Sequence, residues 1–159
     1  MTMKLHNLLI RDMIIEELDS QDREGALREM VNFLKKKKIV SKEKELYEKL
    51  LQREELGSTA IGEGVAIPHC KIKGVKSPII LLAISKKSVD FQSLDGKPSN
   101  IFFLVVSSPE NPSLNLQILA AIASLVRKSG SLLKKILNAA NISAILEIIR
   151  EEEEKLSEK

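Results

Sequence analysis

Two apolar runs constrain this chain more than anything else in it: Pro78 to Ser85 (P-I-I-L-L-A-I-S) and Ile101 to Val106 (I-F-F-L-V-V). Both are continuous, not alternating, and both are rich in branched residues. A strand with one wet face alternates apolar and polar side chains. A continuous apolar strand has to be covered on both faces. Between the two runs lies D-F-Q-S-L-D-G-K-P, a loop marked by Asp95-Gly96. A shorter strand-like run, Val65-Ala66-Ile67, precedes them.

The rest of the chain supplies the covers. Residues 5–18 hold short apolar runs (Leu8, Leu9, Ile10, then Met13, Ile14, Ile15) and read as one or two short strands. Asp19-Ser20 can cap a helix whose inward face is Leu27, Met30, Val31 and Leu34. Lys35 to Lys38 complement the dipole at its end. Ser41 can cap a second helix with Leu46, Leu50 and Leu51 inward, and Gly57 is its stop. Beyond Pro109 the pattern is helical. Asn111 caps and Pro112 starts a helix facing inward with Ile118, Leu119, Ile122, Leu125 and Val126. Leu132, Leu133, Ile136 and Leu137 mark a shorter helix, and Asn141 caps a last one carrying Ile142, Ile145, Leu146 and Ile149. Residues 151–159 are polar and are expected to fray. Helix pairs around a strand-rich middle predict an α/β fold, a three-layer sandwich. At 159 residues the chain is expected to be one domain, residues 1–159.

Composition excludes several function classes. The formal net charge is +3, from 25 basic and 22 acidic residues, too even to argue for nucleic acid. Aromatics make up 3%, which removes the stacking platforms of single-strand binders. No apolar stretch approaches the roughly 18 residues of a membrane helix, so direct membrane insertion is not expected. The start of the chain lacks the pattern of a signal peptide. The lone Cys70 excludes an intrachain disulfide and fits a reducing cytosol. Two histidines and one cysteine show no metal-ligand spacing.

The chemistry concentrates between Arg53 and His69, in R-E-E-L-G-S-T-A-I-G-E-G-V-A-I-P-H. His69 follows a proline, where a strand is expected to give out into a loop. A neutral imidazole can accept a phosphoryl, acyl or similar electrophile and pass it on. Phosphoryl transfer asks mainly for positioning and for donors around the equatorial oxygens. Gly57, Gly62 and Gly64 can converge backbone N–H groups into an anion nest, and Ser58 and Thr59 can donate hydroxyl hydrogens. Arg53 can grip two oxygens at once. Asn115 lies on the apolar face of its helix, three, four and seven residues before Ile118, Leu119 and Ile122. An inward amide needs a partner: His69, a group bound to it, or the local backbone. The bland readings stand beside these. A histidine after proline is often a structural hydrogen-bonding group, glycines mark ordinary turns, and Cys70 reads as a packed spectator thiol. His6 has no constellation around it and reads as structural or exposed.

The segment L-G-S-T-A-I-G-E-G-V-A-I-P-H closely resembles the active-site signature of the fructose/mannitol-type IIA proteins of the phosphoenolpyruvate-dependent sugar phosphotransferase system, a class that includes a nitrogen-regulatory branch. V-D-F-Q-S-L-D-G-K-P, I-F-F-L-V-V and P-E-N-P-S-L-N-L-Q-I-L resemble the family in order and spacing, and the resemblance runs from Leu8 to Arg150. It implies a mixed five-stranded sheet between helices and no metal or organic cofactor. It implies that His69 is phosphorylated on Nε2 by the histidine-containing phosphocarrier protein and discharged to a IIB component, with Arg53 stabilising the phosphate. Two positions depart from the family pattern. Asn115 stands where a second histidine is usual, and Cys70 where glycine is common. Three functions follow as alternatives: a relay component for sugar uptake, a regulatory module whose phosphorylation state selects a protein partner, and a degenerate anion-binding domain without transfer.

Overall fold

Residues 3–157 are described by a computed structural model. Its centre is the antiparallel pair of β5 (Ile79–Val89) and β6 (Ser99–Ser107), the two runs that the sequence marks as doubly buried. Side chains alternate across a strand, and both sets are apolar here. Ile80, Leu82, Ile84, Ile101, Phe103 and Val105 join one core cluster. Leu81, Ala83, Phe102, Leu104 and Val106 join the other. Paired residues share a face, as Leu82 with Phe103 and Leu81 with Leu104 show. Phe103 and Phe102 are fully buried on opposite faces, each worth about 1.5–3 kcal/mol relative to exposure.

Helices cover both faces. On one side lie α1 (Arg23–Lys36) and α2 (Glu43–Leu56), which bring Leu27, Met30, Val31, Leu34, Leu46 and Leu50 to the core. On the other lie α3 (Pro112–Lys128), α4 (Leu132–Leu137) and α5 (Ile142–Ser157), led by Ile118, Ile122, Ile136, Ile145 and Ile149. Asn111 caps α3 as expected, with Pro112 in its first turn. Asn141 Oδ1 accepts from Ala144 N at 2.9 Å at the start of α5. Gly57 ends α2 as expected.

Among the described residues the sheet has six strands where the resemblance implies five. The remaining strands are β1 (Ile14–Ile15), β2 (Ala60–Gly62), β3 (Val65–Ala66) and β4 (His69–Lys71). The main path runs β1-β5-β6-β3-β2, and β4 also pairs with β6. Both β3 and β4 run parallel to β6, at Ile101–Phe102 and at Val105–Ser107. They occupy one lane, interrupted at Ile67-Pro68. Pro68 has no N–H to offer a ladder, but its carbonyl accepts from Val105 N at 2.9 Å.

Local expectations are corrected at the chain ends and at two caps. Residues 5–18 form mostly 3-10 turns, Leu5–Asn7 and Arg11–Met13, with only Ile14–Ile15 as strand. Asp22, not Asp19 or Ser20, caps α1, accepting from Gly25 N at 2.7 Å. Lys42, not Ser41, is the N-cap of α2, and no side chain bonds there. Of the tail expected to fray, residues 151–157 are helical, with carboxylates anchored inside the fold, and residues 158–159 lie outside the described residues. Glu152 accepts from Ser129 Oγ at 2.7 Å and pairs with Lys135 and Lys155. Glu153 accepts from Leu5 N at 2.7 Å, from His6 N at 2.6 Å and from His6 Nδ1 at 2.6 Å. His6 is thus a structural tie between the two ends of the described chain.

Replacing Glu153 with Ala leaves a buried backbone donor without its partner. The expected loss is about 1–3 kcal/mol, measured by urea denaturation near neutral pH. An unchanged midpoint would remove Glu153 from the list of stabilising contacts.

Candidate functional site

His69 opens β4 and does not close a strand. It is half-buried at the outer lane of the sheet. Its pairing with Val105 puts the imidazole on the face covered by α3 to α5. Cys70, paired with Val106, turns to the opposite face and packs against the α1–α2 core. Burial pushes the Cys70 thiol up to about 12, so it stays protonated and inert.

The imidazole is held by one short contact. Nδ1 lies 2.6 Å from the Ile67 carbonyl oxygen. A carbonyl only accepts, so Nδ1 carries the proton. In the neutral ring the lone pair then sits on Nε2. The ring's pKa is lowered, chiefly by burial, against the opposing effect of the bond to Ile67, and further by the charges of Arg53 and Lys71. The group is therefore neutral at physiological pH, with its nucleophilic nitrogen already assigned.

Arg53 comes from the last turn of α2. Its Nη1 donates to the Gly57 carbonyl at 2.8 Å, so the residue that ends the helix also orients the guanidinium. Its charge is felt at His69. No hydrogen bond joins Arg53 to His69 among the described residues, and the link between them is the electrostatic effect of the guanidinium on the imidazole.

The rest of the expected cradle is placed differently. Gly62 and Gly64 flank the turn between β2 and β3, with φ of 89° and 73°. The Gly64 carbonyl accepts from Asn100 N at 2.7 Å. Val65 is level with Ile101 and His69 with Val105. Four residues of strand, roughly 13 Å, separate those levels. The two glycines therefore belong to the far end of the lane and do not join Gly57 in one anion nest. The hydroxyls are also committed. Ser58 Oγ donates to the Phe91 carbonyl at 2.9 Å and accepts from Ala60 N at 3.1 Å. Thr59 is buried, and both its N and its Oγ1 donate to the carboxylate of Glu54. These residues hold the loop together rather than facing an anion.

Asn115 is buried in the first turns of α3 on the same face as His69, with 5% of its surface exposed. Its Oδ1 has no hydrogen-bond partner among the described residues. No hydrogen bond joins it to His69. An unpaired buried carbonyl of this kind costs about 1–3 kcal/mol, and a ligand donor would relieve it.

Glu54 is a buried residue that the motif between Arg53 and His69 does not point to. It is 2% exposed, and the signal for it was present: Leu46, Leu50 and Glu54 recur at every fourth position along the inward stripe of α2. Among the described residues, no group of three or more His, Cys, Asp or Glu side chains is arranged to hold a metal ion. No helix there is long and apolar enough to cross a membrane.

Comparison with known proteins places the chain in a family. Residues 7–152 match the family model "Phosphoenolpyruvate-dependent sugar phosphotransferase system, EIIA 2". The chain is 34% identical over 149 residues to a "PTS system fructose-specific EIIABC component" of Bacillus subtilis, covering 94% of this chain and 23% of that protein. It spans less than a quarter of that relative's length. It is 32% identical over 148 residues to a "Nitrogen regulatory protein" of Bradyrhizobium diazoefficiens, covering 92% of this chain and 95% of that one. Its fold is shared with the crystal structure of nitrogen regulatory protein IIA-Ntr from Neisseria meningitidis, at TM-score 0.82, 24% identity, and coverage of 91% and 98%. It is shared too with IIA mannitol in complex with phosphorylated IIB mannitol from Escherichia coli, at TM-score 0.75, 17% identity, and coverage of 90% and 97%.

His69 is expected to titrate below the ordinary histidine range when followed by NMR. Arg53→Ala should move its midpoint upward, because a cation that disfavours the imidazolium is gone. An unmoved midpoint would separate the two side chains. The sign for stability follows from the same shift. The unfolded chain takes up a proton at the ordinary value and the native ring resists it. The contribution of His69 is therefore present above that range and is lost on acidification below it.

Proposed function

This chain belongs to the phosphoenolpyruvate-dependent sugar phosphotransferase system EIIA 2 family, and on that footing we propose that it accepts a phosphoryl group on His69 and hands it to a second protein. The observation that carries the reading is the bond from Nδ1 to the Ile67 carbonyl, which leaves Nε2 as the free nucleophile. Nε2 attacks the phosphorus of an incoming phosphohistidine, and the new N–P bond forms as the donor's N–P bond breaks. The electron pair of the broken bond returns to the donor ring, which carries a proton on its other nitrogen and so leaves neutral, while His69 keeps its Nδ1 proton and holds the phosphoryl group as an imidazolium. Arg53 meets the charge on the equatorial oxygens. The donor in this reading is the histidine-containing phosphocarrier protein, and the acceptor is a IIB component. The contact with each is transient and of modest area. The expected compartment is the cytoplasm, in keeping with the unpaired Cys70.

A second reading has its own support. One relative that this chain matches almost end to end is a nitrogen regulatory protein. In that reading the phosphorylation state of His69 decides which protein docks, and sugar uptake is not involved. The two readings share the acceptor atom and differ in what discharges it. Asn115 bears on both. An amide can donate to a phosphate oxygen, but it carries neither a charge nor a titratable proton, so the lifetime of the phosphohistidine is set without a second imidazole.

Incubation with phosphoenolpyruvate and the two general phosphotransferase proteins should add one acid-labile phosphate, read by intact mass. A mass gain discharged by a IIB partner supports the relay, and a gain that persists beside it supports the regulatory role. No gain at all leaves a degenerate anion-binding domain. His69→Ala should abolish labelling, and Arg53→Ala should slow it about 10²–10³-fold. Asn115→His should change the phosphate half-life, and an unchanged half-life would place Asn115 outside the site.

A further inference from the structure

We infer that Glu54 is a positioning residue for His69, acting through Thr59 and the Ile67 carbonyl. The inference rests on His69 being the acceptor. It begins with a cost: a carboxylate that is 2% exposed is expensive to bury. No lysine or arginine pairs with Glu54 by a salt bridge among the described residues. Both of its oxygens are instead spent on one residue. Oε1 accepts from Thr59 N at 2.9 Å, and Oε2 accepts from Thr59 Oγ1.

That two-point grip fixes the peptide after α2, and the next bonds carry it to the imidazole. The Thr59 carbonyl accepts from Ile67 N at 3.1 Å. The Ile67 carbonyl accepts from His69 Nδ1 at 2.6 Å. Ile67 needs this anchor. It sits in the gap between β3 and β4, outside the pairs that either makes with β6. Its neighbour Pro68 has no N–H to hold the peptide from the other side. Thr59 therefore holds Ile67 from one side, while Val105 N, donating to the Pro68 carbonyl at 2.9 Å, holds the other, and the Ile67 carbonyl between them assigns the ring proton. Were it to swing away, the proton could occupy Nε2 and block the nucleophile.

The placement of Glu54 beside Arg53 adds a second consequence. Arg53 is tied to Gly57 and Glu54 to Thr59, so one helix end sets both the guanidinium and, through the loop, the imidazole. The turn between α2 and β2 is then a ruler between the two proposed site groups. Thr59 and Ser58, which look like phosphate donors in the sequence, hold the ruler in place.

The test uses the full chain labelled with ¹⁵N-histidine, and reads the ring nitrogens of His69 by NMR above the ordinary histidine pKa. The wild type should show one neutral tautomer, protonated on Nδ1. Glu54→Ala should populate the Nε2–H tautomer and lower kcat for phosphoryl uptake about tenfold, with KM for the donor protein unchanged. Glu54→Gln, which keeps the shape and one acceptor, should restore most of both. Thr59→Val removes only the hydroxyl and should give a smaller change in the same direction, which keeps the test open if Glu54→Ala does not fold. A single Nδ1–H tautomer in a folded Glu54→Ala or Thr59→Val protein overturns the inference. The ring signature needs no phosphate. A tautomer shift in a protein whose wild type takes no phosphate therefore supports the positioning role and sinks the acceptor reading alone.

Discussion

Burial of one antiparallel strand pair on both faces is the constraint from which the rest of this structure follows. Once β5 and β6 carry apolar side chains up and down, neither face can meet water, and each needs a helical cover. The α1–α2 pair supplies one and the α3–α5 group the other. That arrangement leaves room for short strands only at the margins. The lane beyond β6 is filled by β3 and β4 in two pieces. The break between them is where chemistry can be placed, because a peptide that is free of ladder bonds can bond to a side chain instead.

His69 sits at that break. It is half-buried, and burial keeps it neutral. Its ring is oriented by a backbone carbonyl, not by a carboxylate, so the nitrogen opposite stays basic without becoming charged. Arg53 arrives from the other side of the sheet on a helix whose end is stopped by Gly57. The proposed transfer thus uses one nucleophile and one cation, carried on two elements that belong to different layers.

Much of this was legible in the residues. The continuous runs announced doubly covered strands, and Asn111-Pro112 and Asn141 announced the starts of helices α3 and α5. The inward direction of Asn115 followed from its spacing, and it is buried. What misled was the apparent supply of phosphate donors. Ser58 and Thr59 have the right chemistry, but their hydroxyls are taken by the Phe91 carbonyl and by Glu54. Gly62 and Gly64 are near His69 in sequence, yet parallel pairing to β6 carries them away along the lane. Closeness along a strand is distance in space. The C-terminal carboxylates misled in the opposite sense. A run of Glu residues looks like solvated tail, while Glu152 and Glu153 are bound by Ser129, Lys135 and the backbone at Leu5 and His6.

By itself the sequence determined which two strands are covered on both faces, which faces of the helices turn inward and which imidazole is the candidate acceptor, because periodicity and residue chemistry are local properties. Only the tertiary structure decided which polar groups are free and which are spent. Hydrogen-bond partners such as Glu54 with Thr59, Thr59 with Ile67, and Glu153 with His6 depend on how elements from different layers are brought against one another. No local pattern carries that information.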